Sequence, residues 1–333
     1  MIPASEQVVT VFGGSGFLGR HVVRALAKRG YRIRVAVRRP DLANFLQPLG
    51  NVGQIHAIQA NLRYPQSVDR AVKWASAVIN LVGILAESGR QRFATVQSEG
   101  AKAIAEAAKR HGISRLVHVS AIGADAESPS VYARTKAAGE AAMREAVSEA
   151  IILRPSIVFG PEDDFFNRFA ALARIMPFLP LIGGGHTKFQ PVFVGDVAEA
   201  VAKAVDGALK PGATYELGGP EVKTFRELME ITLKVANRKR VLLPLPFPLA
   251  RLQAGLFETI DTVTFGFALP SMLRLTRDQV TLLERDNIVS DEAKKIGLTL
   301  EGIGIEGETV EAIVPSYLYR FRKAGQFERM ADA

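Results

Sequence analysis

Val8-Val9-Thr10-Val11-Phe12-Gly13-Gly14-Ser15-Gly16-Phe17-Leu18-Gly19 is the stretch whose reading decides the fold. Val8–Phe12 is an apolar run of strand length closed by two glycines, the pattern of a buried strand. Leu18, Val22 and Leu26 then recur at helical spacing, with Arg20, Arg24 and Lys28 off that face. Gly30 ends the helix as a C′ glycine. Gly13, Gly16 and Gly19 have separate tasks in such a turn. The first permits the tight bend, the second lets a pyrophosphate approach the backbone, and the third lets the helix lie against the strand. The helix N-terminus offers free N–H groups and partial positive charge to that phosphate. Gly14, Ser15, Phe17 and Leu18 complete the loop around it. A plain glycine-rich turn has similar letters, but the strand before and the helix after favour dinucleotide binding.

Outward from that loop, Tyr31–Val37, Ala77–Leu81, Leu116–Ser120 and Ile151–Leu153 read as further strands, and Gln54–Gln59 as a weaker one. Ser67–Trp74 and Arg92–Arg110 read as helices, the second stopped by Gly112. Alternation of this kind predicts an α/β protein: a Rossmann-type doubly wound parallel sheet with a smaller, mostly helical C-terminal lobe. The expected domains are 1–160 for dinucleotide binding, with 193–212 packing back on it, and 161–192 plus 213–333 for the lobe. Asp164–Met176 and Val197–Val205 read as helices and Gly183–Gly185 as a loop. Thr224-Phe-Arg-Glu227 and Thr276-Arg-Asp-Gln279 are capping boxes. Val241–Leu249 carries Pro244, Pro246 and Pro248, which predicts an extended apolar strip outside any helix or ladder.

Composition narrows the chemistry. The 333 residues carry 42 Lys+Arg against 34 Asp+Glu, a net charge of +8, and are 48% hydrophobic and 23% charged. Those are globular values, so a disordered tail and a collagen-like chain are excluded. The absence of cysteine removes disulfides, thiolate metal sites and cysteine nucleophiles, and fits a reducing compartment. His21, His56, His111, His118 and His186 are dispersed, so no metal site is expected. No apolar run approaches the roughly 20 residues of a transmembrane helix, and Met1–Gln7 does not read as a secretory signal. No nucleic-acid module accompanies the basic charge.

The expected dinucleotide is NADP(H) rather than NAD. An NAD site has an acidic residue at the end of the second strand. This chain has Arg38 and Arg39 there, whose guanidiniums suit a 2′-phosphate. A solvated basic turn is the plainer alternative, and Asp41 keeps a ribose contact open. Asn61 and Leu62 would flank the adenine, and Leu81, Val82 and Gly83 would lie near the ribose. Tyr132 and Lys136 stand four apart, on one face of a helix, where the cation favours the phenolate and makes the phenol an acid–base group. Ser120, 12 residues before Tyr132, ends the preceding strand and is placed to hold a substrate carbonyl.

Taken in order, Gly13-x-x-Gly16-Phe17-x-Gly19, Asn80, Ser120, Tyr132/Lys136 and Arg154-Pro155-x-x-Val158-Phe159-Gly160-Pro161 resemble the extended and atypical short-chain dehydrogenases/reductases over residues 7 to about 210. The resemblance implies that Tyr132 is the general acid/base, that Lys136 binds the nicotinamide ribose and that Ser120 orients substrate. It also implies that Pro155, Ile157 and Val158 lie by the nicotinamide. Phe12 departs from the pattern, since many extended members have Thr there. Val78-Ile-Asn-Leu-Val-Gly83, Phe165-Phe-Asn-Arg-Phe169, Gln190-Pro-Val-Phe-Val194, Leu243-Pro-Leu-Pro-Phe-Pro-Leu249 and Thr276-Arg-Asp-Gln-Val280 are similar to a narrower subfamily. This is the short-chain-dehydrogenase-like accessory subunit of respiratory complex I. It implies a structural NADPH, other complex I subunits near the quinone site as partners, and no turnover.

A working reductase, epimerase or dehydratase of a small carbonyl or nucleotide-sugar-like substrate is the alternative, supported by the intact Ser-Tyr-Lys set. Leu242, Leu243, Leu245, Phe247, Leu249, Leu252, Leu256 and Phe257, with Thr262–Leu273, read either as lobe core or as a docking surface. Arg274, Arg277, Arg320, Arg322 and Lys323 flank them and suit an anionic lipid surface. The expected location is therefore peripheral, on the cytoplasmic face of a bacterial inner membrane, or on the matrix side in a eukaryote.

Overall fold

The computed structural model describes residues 3–263 and 275–327. In chain order the principal elements are β1 (Val8–Phe12), α1 (Phe17–Lys28), β2 (Arg32–Val37), β3 (Ile55–Gln59), α2 (Pro65–Val72), β4 (Ala77–Asn80), α3 (Gly100–Arg110), β5 (Leu116–Val119), α4 (Val131–Ala146) and β6 (Ile151–Pro155). There follow β7 (Val158–Phe159), α5 (Phe165–Ile175), β8 (Phe178–Ile182), β9 (Lys188–Phe189), β10 (Val192–Phe193), α6 (Val194–Val205), β11 (Thr214–Leu217), β12 (Lys223–Thr224), α7 (Phe225–Val235), β13 (Val241–Leu245) and α8 (Phe247–Val263). The C-terminal helices are short: α9 (Arg277–Leu282), α10 (Asp291–Lys295), α11 (Val310–Ile313) and α12 (Pro315–Leu318).

The chain divides into two compact units. The first takes Met1–Pro155, Val194–Leu217 and Val289–Glu306. Its seven strands run β11-β6-β5-β4-β1-β2-β3, all parallel. Strand order reverses beside β1, between β2 and β4, which is the switch point where doubly wound sheets bind ligands. β1 and β4 are buried almost throughout because helices cover both faces of a parallel sheet. Phe12, Ile104, Met143 and Ile152 belong to one of the cores beneath those helices. Glu140 on α4 is buried, and Arg154 on β6 forks onto both of its oxygens at 2.8 and 2.7 Å. The segment 289–306, expected in the C-terminal lobe, clusters with this unit: Glu216 N bonds to Leu298 O, and Ser290 N bonds to the Glu216 carboxylate.

Arg92–Arg110 is not one regular helix. Ala94–Glu99 forms a π-helical stretch before α3 begins at Gly100. Gln97 is buried there. Its Nε2 donates to Ile84 O at 2.7 Å, and its Oε1 accepts from Thr135 Oγ1 at 3.0 Å. Apolar periodicity does not distinguish such a π-turn from an α-helix.

The second unit takes Ser156–Phe193, Gly218–Ile288 and the chain from Gly307. Three two-stranded pairs, β7/β10, β9/β12 and β8/β13, surround an aromatic core. Phe165, Phe166, Phe169 and Phe225 meet edge-on at 5.2 to 6.1 Å between ring centres. Asp163 is buried at the head of α5, where it accepts from Gly160 N, Asn167 N and, at 2.6 Å, the Tyr317 hydroxyl. Burial pushes its carboxyl above the usual range against those hydrogen bonds. Both capping boxes form, at Thr224/Glu227 and Thr276/Gln279.

The proline-rich segment does not stay outside helix and ladder as its prolines predict. Val241–Leu245 does join a ladder, running parallel to β8, and Pro248 lies in the first turn of α8. Val241 N donates to Pro177 O, so odd-numbered N–H groups face β8 and Pro244 sits where a missing N–H points away. Pro248 is tolerated because first-turn N–H groups have no intrahelical acceptor.

Candidate functional site

The carboxyl ends of β1, β2, β3 and β4 open onto a cleft lined by Gly13, Ser15, Gly16, Arg38, Asn61, Leu62, Leu81, Val82 and Gly83, together with Phe12, Val37 and Thr95. The glycine loop shapes its floor. Gly13 has φ +79°, a left-handed conformation at which a side chain is strained. A Cβ on Gly19 would lie 2.6 Å from the Gly14 backbone, so only glycine lets α1 pack this close. Gly14, Phe17 and Leu18 belong to the same loop and helix start without lining the cleft.

Three arginines line the cleft and no carboxylate does: Arg38, Arg63 and Arg90. Arg39, expected beside Arg38, is turned away from the lining. It is exposed and pairs with Asp41 at 2.8 Å, which also occupies the acidic group held in reserve for a ribose. Arg63 and Arg90 were not singled out in the sequence. Arg63 follows the expected adenine flank directly, and that adjacency was a usable signal. Arg90 comes from the hairpin closed by the Ser88/Gln91 bridge, which no periodicity reveals. The Glu87 carboxylate fixes the base of that hairpin by accepting from Phe93 N at 2.7 Å.

The acid–base group forms a second cluster in the same unit. Ser120 follows β5 and is buried, and its hydroxyl has no hydrogen-bond partner. Lys136 is buried on α4 and donates to Val119 O at 3.3 Å, which brings it beside Ser120. Its ammonium lies 5.9 Å from the Tyr132 ring centre, one helical turn back, and Phe93 packs edge-on to that ring at 5.8 Å. A Cβ on Gly83 would be 3.2 Å from Lys136 Nζ, so the lysine reaches the rim of the dinucleotide cleft. Burial pulls Lys136 down to about 8, with Glu140 opposing.

Asn80 does more than end a strand. It is the register partner of His118 across β4 and β5. Its Oδ1 accepts from Val82 N at 3.0 Å, and its Nδ2 donates to His118 Nδ1 at 3.1 Å. His118 is held neutral, at about 3, by burial and then by Lys136 and Arg144. Its proton therefore sits on Nε2. This chain of hydrogen bonds fixes the Val82 turn that lines the cleft. Two polar residues at one depth of adjacent buried strands were its sequence signal.

Pro155 ends β6 in the first unit, whereas Ile157 and Val158 belong to the second, and none of the three lines the cleft. In the second unit Val241, Leu243, Leu249, Leu252 and Leu256 are exposed, and the last three share one face of α8. Arg320 and Arg322 bond to this unit's own backbone, at Pro161 O and Val235 O. Phe265, Phe267, Leu269, Met272, Leu273 and Arg274 lie outside the described residues. Among the described residues no helix is long and apolar enough to cross a membrane, and no cluster of carboxylates and histidines could hold a metal ion.

The glycine cradle, the cationic lining and the unpartnered Ser120 hydroxyl fit a nicotinamide dinucleotide. Comparison with known proteins agrees. The NAD dependent epimerase/dehydratase family matches residues 9–218. The mitochondrial NADH dehydrogenase [ubiquinone] 1 alpha subcomplex subunit 9 of Arabidopsis thaliana is 39% identical, over 96% of this chain and 79% of that one. A ceramide reductase of Caulobacter vibrioides is 35% identical, over 74% of this chain and 76% of that one. An NADPH-dependent quinone oxidoreductase of Escherichia coli, solved with NADPH, shares the fold at a TM-score of 0.68 and 20% identity, over 93% of this chain and 99% of that one. The chain belongs to the NAD dependent epimerase/dehydratase family and, within it, to the branch of short-chain-dehydrogenase-like accessory subunits of respiratory complex I.

Proposed function

We propose that this chain is an NADP(H)-holding accessory subunit, or assembly and stability factor, of respiratory complex I, in which the dinucleotide is a structural element. The observation that carries this reading is the 39% identity running along 96% of the chain to a complex I subunit. A likeness confined to the cofactor domain would not extend through the second unit. The subunit docks near the quinone site and stays peripheral to the membrane, on the cytoplasmic face in a bacterium or the matrix side in a eukaryote. The exposed leucines of β13 and α8 supply an apolar contact for an anionic lipid surface or a neighbouring subunit.

Cofactor choice follows from charge. Gly13, Ser15, Gly16 and the start of α1 hold the diphosphate, while Asn61 and Leu62 flank the adenine. Arg38 takes a 2′-phosphate, and Arg63 and Arg90 line the same cleft. Lys136 and Tyr132 hold the nicotinamide ribose, and Ser120 faces the reacting end. A bound nicotinamide supplies hydride chemistry. Titration of the full chain is expected to give tighter binding of NADPH than NADH, with Arg38→Ala weakening NADPH alone. Tighter NADH binding would overturn the cofactor assignment.

A catalytic reading has its own observation. Ser120, Tyr132 and Lys136 are assembled and the serine hydroxyl is unpartnered, as a carbonyl-binding site requires. Under it the chain reduces, epimerises or dehydrates a small carbonyl or nucleotide-sugar-like substrate, with Tyr132 exchanging the proton. NADPH oxidation abolished by Tyr132→Phe would select this reading.

A further inference from the structure

The far end of the same sheet carries a feature that cofactor binding does not use. Val72–Ala75 forms a β-turn closed by Ala75 N donating to Val72 O at 3.0 Å. Lys73 has φ −54° and ψ 125°, and Trp74 has φ +64°, the angles of a type II turn. Its third position favours glycine, because a Cβ is strained at positive φ. Here it holds the only tryptophan in the chain, 79% exposed. A bulky residue kept in a left-handed conformation and turned to solvent contributes nothing to the core, so its reason lies outside the fold.

Its surroundings are cationic. Lys73 Nζ lies 4.4 Å from the indole centre. Arg34 donates to Ala71 O and Lys73 O, both at 2.8 Å, tying the turn to β2. Arg32 heads the same strand, and Arg115, just before β5, donates to Gln7 Oε1. None of Arg32, Arg34, Lys73 and Arg115 is in an ion pair among the described residues. Asp206 and Asp69 of this unit are engaged by Arg29 and Arg110 instead. The indole is a single exposed aromatic side chain beside these cations, which is too little area for insertion into a bilayer. Aromatic and arginine side chains are the usual anchors of protein interfaces.

We infer that Trp74, with Arg32, Arg34, Lys73 and Arg115, is a docking surface for an acidic segment of a protein partner, at the amino ends of the strands. Carboxylates of the partner pair with the cations, and its chain packs on the indole. This surface is independent of what the glycine cleft holds.

Because Trp74 is the only tryptophan, its fluorescence reports on this surface alone. Titration of the full chain with oligo-glutamate is expected to change the emission saturably, with an affinity that falls as salt rises. Arg32→Glu with Lys73→Glu should lower that affinity at least tenfold, whereas Arg38→Glu in the cleft should leave it unchanged. Trp74→Gly should bind labelled oligo-glutamate about tenfold more weakly, by anisotropy, while melting no lower than the parent chain. The inference is overturned by an unchanged emission, by loss of binding through Arg38→Glu, or by Trp74→Gly melting lower, which would make the indole part of the fold. A stronger response to phosphatidylglycerol vesicles or to an oligonucleotide at equal charge would overturn it too, in favour of lipid or nucleic acid.

Discussion

Two turns at opposite ends of the seven-stranded sheet treat a left-handed backbone in opposite ways. At the carboxyl ends Gly13 stands at φ +79°, and at the amino ends Trp74 stands at φ +64°. The first obeys the rule that positive φ belongs to glycine, and the second breaks it. Gly13 exists so that the chain can bend tightly out of β1, and its motif is legible because the rule is kept. Trp74 keeps a strained geometry to present a side chain, and one residue out of pattern leaves no motif. Local consistency marks the task the fold is built around, and its violation marks a task that the fold itself does not require.

The largest test of that contrast is Gly19→Ala. The methyl would lie 2.6 Å from the Gly14 backbone, which neither α1 nor the loop can yield. We expect a loss of about 3 kcal/mol in stability by denaturant titration and no measurable dinucleotide binding. Next is Arg38→Ala, for which calorimetry should show a ten- to hundredfold weaker Kd for NADPH, ~1.5–3 kcal/mol, and an unchanged one for NADH. An equal loss for both would make Arg38 a diphosphate ligand instead. At the other end Trp74→Gly should raise stability by up to about 1 kcal/mol, since relief of positive φ is partly offset by the freedom glycine gains when unfolded.

The smallest effect is one of pH. Lys136 titrates near 8 in the fold and 10.5 when unfolded. Between those values the unfolded chain holds more protons, so the penalty is full below pH 8 and fades as pH rises to 10.5. His118 acts at the acid end, its neutral form costing stability as pH falls from 6.5 toward about 3. Melting without cofactor should therefore rise from pH 7 to 10 more steeply than in Lys136→Met, which should itself melt higher at pH 7. Identical slopes would mean that Lys136 is solvated.

The central β–α–β pattern was legible because parallel strands buried on both faces are apolar throughout, and because α1 repeats every turn. The glycine loop, Ser120, Tyr132 and Lys136 were legible as a pattern of spacing. Arg39 was not placed correctly by spacing alone: neighbours on a chain point apart, and Asp41 two residues on takes its guanidinium. The Asn80–His118 bond depends on strand register, the π-turn at Gln97 on packing against α4, and the pairing of β13 on which N–H groups Pro244 leaves free. Each is set by contacts between segments distant in sequence, which one-dimensional periodicity does not carry.

The most direct measurement is isolation of this chain, under a mild affinity tag, from membranes of its own source. The expected result is co-purification of complex I subunits in fixed proportion, with one NADP(H) per chain that persists through NADH oxidation and survives Tyr132→Phe. Recovery of the chain free of those subunits, oxidising NADPH with a carbonyl substrate and silenced by Tyr132→Phe, would contradict a structural role and establish a reductase.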